Sequence, residues 1–168
     1  KLLNTNNPEQ LEEIIRFFWT MRRNELDENI KSKIKIIWRE MFNRLIEKEA
    51  KENFAKLIFH LSDWLALVDE IDSDVFEWSN ASVKYVKEPH ETWHFVENLN
   101  KHVTKTPEYV GKLLLELIKQ GIYPDYKEEY LINIVSNLYK RNKKEIADRI
   151  FDVFIKSLGE LNKRLIKE

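Results

Sequence analysis

Apolar residues recur along this chain every three or four positions, in segment after segment, and helix-start residues stand where the segments begin. A pattern of that period can be buried only as helices that share their apolar faces, so it fixes the fold class as all-α before any other property is considered. Asn7-Pro8-Glu9-Gln10 opens the first segment with an N-cap, a proline at N1 and a Gln at N3, and Leu11, Ile14, Ile15, Phe18 and Trp19 follow as its stripe. A longer helix is expected from about Asp27 to Ala50, with Ile30, Ile34, Ile37, Trp38, Met41 and Leu45 inward. Lys31, Lys35, Arg39 and Arg44 take its outer side. Phe54, Leu57, Ile58, Leu61, Leu65 and Val68 mark a third helix. There Phe59, Trp64 and Leu67 complete the circumference, so this helix should be the most deeply buried.

Asp72-Ser73-Asp74 begins a less periodic segment through Phe76, Trp78 and Tyr85, and Glu88-Pro89 begins another with Trp93, Val96, Leu99 and Val103. Thr106-Pro107-Glu108 starts a helix carrying Val110, Leu113, Leu114, Leu117 and Ile118, with Gly121 as its C′ residue and Pro124 beyond. Gly111 inside that helix costs about 1 kcal/mol against Ala, which points to close approach of a neighbour. Leu131, Ile134, Val135 and Leu138 mark the next helix. Ile146, Ala147, Ile150, Phe151 and Phe154 lead into the last, which runs on through Leu158, Leu161 and Leu165. Trp38, Leu61 and Phe151 sit mid-stripe and are expected to be buried. Connections read as short, so about eight helices should pack as antiparallel neighbours in one domain over 1–168.

A faint internal repeat runs through the chain. Residues 8–18 lie over 107–117, Ile34-x-Ile36-Ile37 over Ile132-x-Ile134-Val135, and Phe54-Ala55-x-x-Ile58-Phe59 over Ile146-Ala147-x-x-Ile150-Phe151. Paired helices with Pro-Glu or Asn/Asp starts resemble HEAT-type helical repeats, a resemblance that implies stacked hairpins, an α-solenoid, with a closed bundle as the alternative. Thr106 to Leu114, followed by Glu145-Ile146-Ala147, is also similar to helical C-terminal regions of large bacterial defence proteins. In those proteins such regions follow SIR2-type or nucleotide-hydrolysing domains, and the likeness implies a sensing or assembly role. It supplies no catalytic residue.

Composition narrows the function classes. Lys and Arg (28) nearly balance Asp and Glu (29), so the chain has no global pull toward nucleic acid or anionic membrane. The absence of cysteine excludes disulfides, thiolate catalysis and cysteine-ligated zinc. No stretch approaches the roughly 20 apolar residues that span a bilayer. The chain opens on Lys1 rather than Met, so it is expected to be an excised piece of a longer cytoplasmic protein.

One string looks like chemistry. His90-Glu91-Thr92-Trp93-His94 matches H-E-x-x-H, in which two histidines one turn apart bind zinc and the glutamate is general base. At about 100° per residue, however, Thr92, Val96, Leu99 and Val103 share one side of the helix, with His90 and His94 nearly opposite, facing water. Catalytic zinc needs ligands turned into a cleft with a third donor, for which Glu108 and Glu116 are downstream candidates that no motif marks. His60 and His102 are expected at helix-face margins. Lys31, Lys35 and Arg39, and the turn Lys140-Arg141-Asn142-Lys143-Lys144, could touch phosphates, although acidic residues surround both. Phe76, Trp78 and Tyr85 fit their helix poorly and are candidates for an exposed interface.

The expected function is therefore a non-catalytic interaction or sensing module, partnered by a protein or by other domains of a parent chain. A zinc hydrolase using His90, His94 and Glu91 is the alternative, and a nucleic-acid-binding helical domain the second.

Overall fold

The computed structural model describes residues 7–23, 26–47, 52–122 and 128–165, with side chains at 7–22, 26–47, 54–122 and 128–156. Among the described residues there are eight α-helices and no strand: α1 (Pro8–Thr20), α2 (Glu28–Ile46), α3 (Glu52–His60), α4 (Ser73–Val83), α5 (Trp93–His102), α6 (Pro107–Lys119), α7 (Glu128–Lys140) and α8 (Lys144–Leu165). Ala50 and Pro124, expected near helix ends, fall outside the described residues, as do the side chains of Leu158, Leu161 and Leu165.

Local chemistry accounts for the helix ends. The side chains of Asn7, Asp27 and Asp72 each accept a hydrogen bond from an amide of the first turn, at 2.9–3.0 Å. Gly121 follows α6 at φ +77°, the left-handed C′ position that glycine takes at least cost. Asn142 does the same after α7 at φ 58°, where the Lys143 amide bonds back to the Leu138 carbonyl and the Asn142 amide to Tyr139. The basic turn is thus a helix stop that folds α8 back along α7.

The chain forms two compact units, divided between Val86 and Lys87. In the first, α3 packs on α1, α2 and α4. Its core holds a run of aromatic rings, Phe18 on Trp64 (5.0 Å), Trp64 on Trp38 (6.1 Å) and Trp38 on Trp78 (5.7 Å). The Trp64 indole donates to the Ile15 carbonyl at 3.1 Å, tying this layer to α1. The expected third helix does not continue to Val68 as α-helix. It tightens at Leu61 into a 3₁₀ segment, Leu61–Leu67. With three residues per turn, Leu61, Trp64 and Leu67 stack on one another, and none is more than 2% exposed.

In the second unit α6 is the central helix, packed on α5, α7 and most extensively α8. Val110, Leu113, Leu114, Leu115, Leu117 and Ile118 are all buried around it. Gly111 admits the neighbours: a β-carbon there would stand 2.6 Å from Ile146 Cγ2 and 3.0 Å from Leu138 Cδ2.

Three expectations need correction. Phe151 is 48% exposed, because α8 turns Ala147 and Ile150 inward and residue 151 points a quarter-turn or more away from Ile150. His102 is buried, not marginal. The middle segment of the repeat is out of phase: Ile34 is buried where Ile132 is exposed, and Ile36 is exposed where Ile134 is buried. Burial instead matches Ile34 with Ile134 and Trp38 with Leu138.

A cross-element tie in the second unit is pH-sensitive. Glu108, in the first turn of α6, accepts from Lys112 at 2.6 Å and from Lys143, in the α7–α8 turn, at 2.7 Å. Those bonds hold its carboxyl at about 2, below the ordinary 4.5. The folded value lies under the unfolded one, so the tie contributes fully above about pH 4.5 and is lost as pH falls toward 2. We expect Glu108→Gln to flatten the acid limb of a stability–pH curve in that window. An unchanged acid limb would show that the Lys143 link carries no stability. Because Glu108 is partly solvated, the effect should be small.

Candidate interaction surface

The five-residue motif sits at the entrance to α5. Pro89–Thr92 is a 3₁₀ turn, so His90 and His94 do not lie on one continuous α-helix. Glu91 Oε2 accepts from the amides of Lys87 (3.1 Å) and Glu88 (3.2 Å), and the Thr92 hydroxyl donates to the Pro89 carbonyl at 2.7 Å. The carboxylate that a zinc peptidase would use as base is here a helix cap. Thr92, Phe95, Val96, Leu99 and Val103 are buried, His90 is exposed and His94 half-exposed, 3.6 Å from Glu97. The downstream carboxylates are occupied, Glu108 as described and Glu116 by Gln120 at 3.1 Å. No group of three or more His, Asp or Glu side chains placed to hold a metal occurs among the described residues.

The α2 basic row is largely engaged within the first unit. Lys31 Nζ meets Asp69 at 2.6 Å and Glu28 at 3.0 Å, and Lys35 pairs with Asp72. Partial burial alone would raise the Asp72 carboxyl. Hydrogen bonds from Lys35 and the Val75 amide outweigh that and hold it below the usual range. These ion pairs pin α2 to the segments flanking the start of α4, while Arg39 remains exposed. Phe76, Trp78 and Tyr85 are all half-buried, Trp78 against Trp38.

A cluster of exposed apolar side chains lies elsewhere, and it includes Phe151, read from the sequence as core stripe. Seven large apolar side chains stand in solvent among the described residues; Phe17, Ile36 and Trp93 are scattered, but Ile132, Tyr139, Phe151 and Ile155 all belong to α7 and α8. Between these helices runs an open groove of about 410 Å³, lined by Ile118, Leu131, Ile132, Val135, Tyr139, Ile150, Phe151 and Phe154 among others. Tyr139 is fixed across it by a 2.6 Å hydrogen bond to Asp148, which raises the phenol above its ordinary 10.0, with burial and the charges of Asp148 and Asp152 acting in the same direction. Helical period groups Ile132 with Tyr139, and Phe151 with Ile155. Whether a neighbour covers those faces is a tertiary fact that period does not carry.

Comparison with protein families, with curated proteins and with solved structures gave no match. No helix among the described residues is long and apolar enough to cross a membrane.

Proposed function

We propose that this chain is a non-catalytic helical interaction module of a larger protein, and that the α7–α8 groove is its working surface. One observation carries the reading: three large exposed apolar side chains, Ile132, Tyr139 and Phe151, line one open, apolar groove, whereas Phe17, Ile36 and Trp93 stand singly. Exposed apolar side chains gathered in one place mark interaction sites, while scattered ones are ordinary surface. A HEAT-like build, hairpins stacked in two layers, is supported within the second unit by the packing of α5 on α7 and of α6 on α8. The zinc-hydrolase reading is disfavoured by Glu91, whose carboxylate is committed to two backbone amides. The nucleic-acid reading is disfavoured by Lys31 and Lys35, which already have carboxylate partners.

The test is selection from an unbiased library of helical peptides on the purified protein. Enriched ligands should compete with one another and be lost with Ile132→Glu, but be retained with Trp93→Glu, a change at another exposed apolar site outside the groove. Ligands indifferent to Ile132→Glu, or no ligand at all, would end this reading.

A further inference from the structure

Three carboxylates stand at the groove or beside it, and the basic turn at 140–144 follows Tyr139 at one end. Glu128 lines it at the start of α7, and Asp148 and Asp152 stand on α8 near Tyr139, about three helical turns or roughly 16 Å along α7 from Glu128. Among the described residues none of the three has a cationic partner, although Lys144 and Lys156 lie one turn from Asp148 and Asp152 on α8. Acidic groups at both ends of an apolar trough complement an occupant with an apolar face and cationic flanks. Size narrows the occupant further. The groove is lined by ten described residues, against roughly 20–30 a side in a stable interface between globular partners. It suits one helix lying along α7 and α8, anchored at i, i+4 and i+7 spacing.

Resting on the interaction reading above, we infer that the α7–α8 groove binds a single basic amphipathic helix of a partner protein, with leucine-like anchors over Val135 and between Ile132 and Phe151. The helix's lysines or arginines meet Glu128 at one end and Asp148 and Asp152 at the other. The Tyr139–Asp148 bond holds the phenol hydroxyl beside the acidic groups of α8.

Two synthetic peptides of about 16 residues provide the probe, each with leucines at i, i+4, i+7 and i+11. One has lysines at both ends; in the other every lysine is replaced by glutamate. Fluorescence anisotropy with the whole chain should give saturable one-to-one binding of the lysine peptide, weakened by salt, with the glutamate peptide at least about tenfold weaker. Asp148→Asn with Asp152→Asn keeps an acceptor for the Tyr139 hydroxyl and should remove most of that discrimination. Ile132→Ser, at a 66% exposed position where the fold is not at stake, should weaken both peptides. Equal binding of the two peptides, both sensitive to Ile132→Ser, would overturn the charge inference while leaving the interaction reading intact. Binding indifferent to Ile132→Ser would overturn both. A dimer in sedimentation velocity that Ile132→Ser dissociates would assign the groove to a second copy and likewise overturn the inference.

Discussion

Trp64→Ala should destabilise the protein by about 3–5 kcal/mol, the cost of deleting a fully packed aromatic side chain. Trp64 has no solvent exposure and lies between Phe18 and Trp38, so its removal leaves a cavity that two other rings line. The deletion also removes the indole's hydrogen bond to the Ile15 carbonyl, worth about 1 kcal/mol, because that carbonyl still belongs to the hydrogen-bond ladder of α1. These terms overlap, because relaxation that closes the cavity can also admit water to the carbonyl. Trp64→Phe separates them: it keeps an aromatic ring and loses the donor, and should cost much less than the alanine change. Urea midpoints of both variants, at unchanged slope, give the comparison. A loss below about 1 kcal/mol for Trp64→Ala would mean that the aromatic run is not the core of the first unit.

Gly111→Ala should also destabilise, by about 1–3 kcal/mol, although the same change in an open helix gains about 1 kcal/mol. The added β-carbon would sit 2.6 Å from Ile146 Cγ2 and 3.0–3.2 Å from both Leu138 methyls. Ile146 is β-branched, so its Cγ2 cannot swing aside without leaving its preferred rotamer, and relief requires α8 itself to shift. A double-mutant cycle tests the cause. Ile146→Ala removes the opposing methyl, and the penalty of Gly111→Ala should shrink or reverse in that background. Additive effects would indicate that the glycine answers to something other than the α6–α8 approach.

Much of the fold was legible in the sequence because helix chemistry is local. Asn7, Asp27 and Asp72 act as caps where capping rules place them, Gly121 takes the left-handed turn, and Gly111 marks the closest helix approach. Period also separated the buried Thr92–Val103 face from His90 and His94. What it could not distinguish was a 3₁₀ continuation from an α one, since Leu61, Trp64 and Leu67 satisfy the i, i+3 spacing of both.

The candidate surface was the least legible part, for a related reason. Phe151 looks like core because apolar residues at helical spacing share a stripe. A stripe wider than its neighbour's footprint leaves its edge in water, and the footprint is set by how α8 lies on α6 and α7. Lys31 and Lys35 erred in the other direction: a regular basic row looks available until Asp69 and Asp72, nearly 40 residues away, are brought against it. Glu91 looked like a general base because its type and spacing fit, while the backbone amides that hold it belong to the turn before the helix.

The most direct test of the account is to locate a bound ligand on the protein. Amide and methyl chemical shifts should be followed by NMR while a peptide selected on the whole chain is titrated in. The account predicts perturbations centred on Ile132, Val135, Tyr139, Phe151 and Ile155, with the entrance to α5 around His90 and His94 unmoved. Perturbations centred instead on the α5 entrance, or on Lys31, Lys35 and Arg39 of α2, would contradict it.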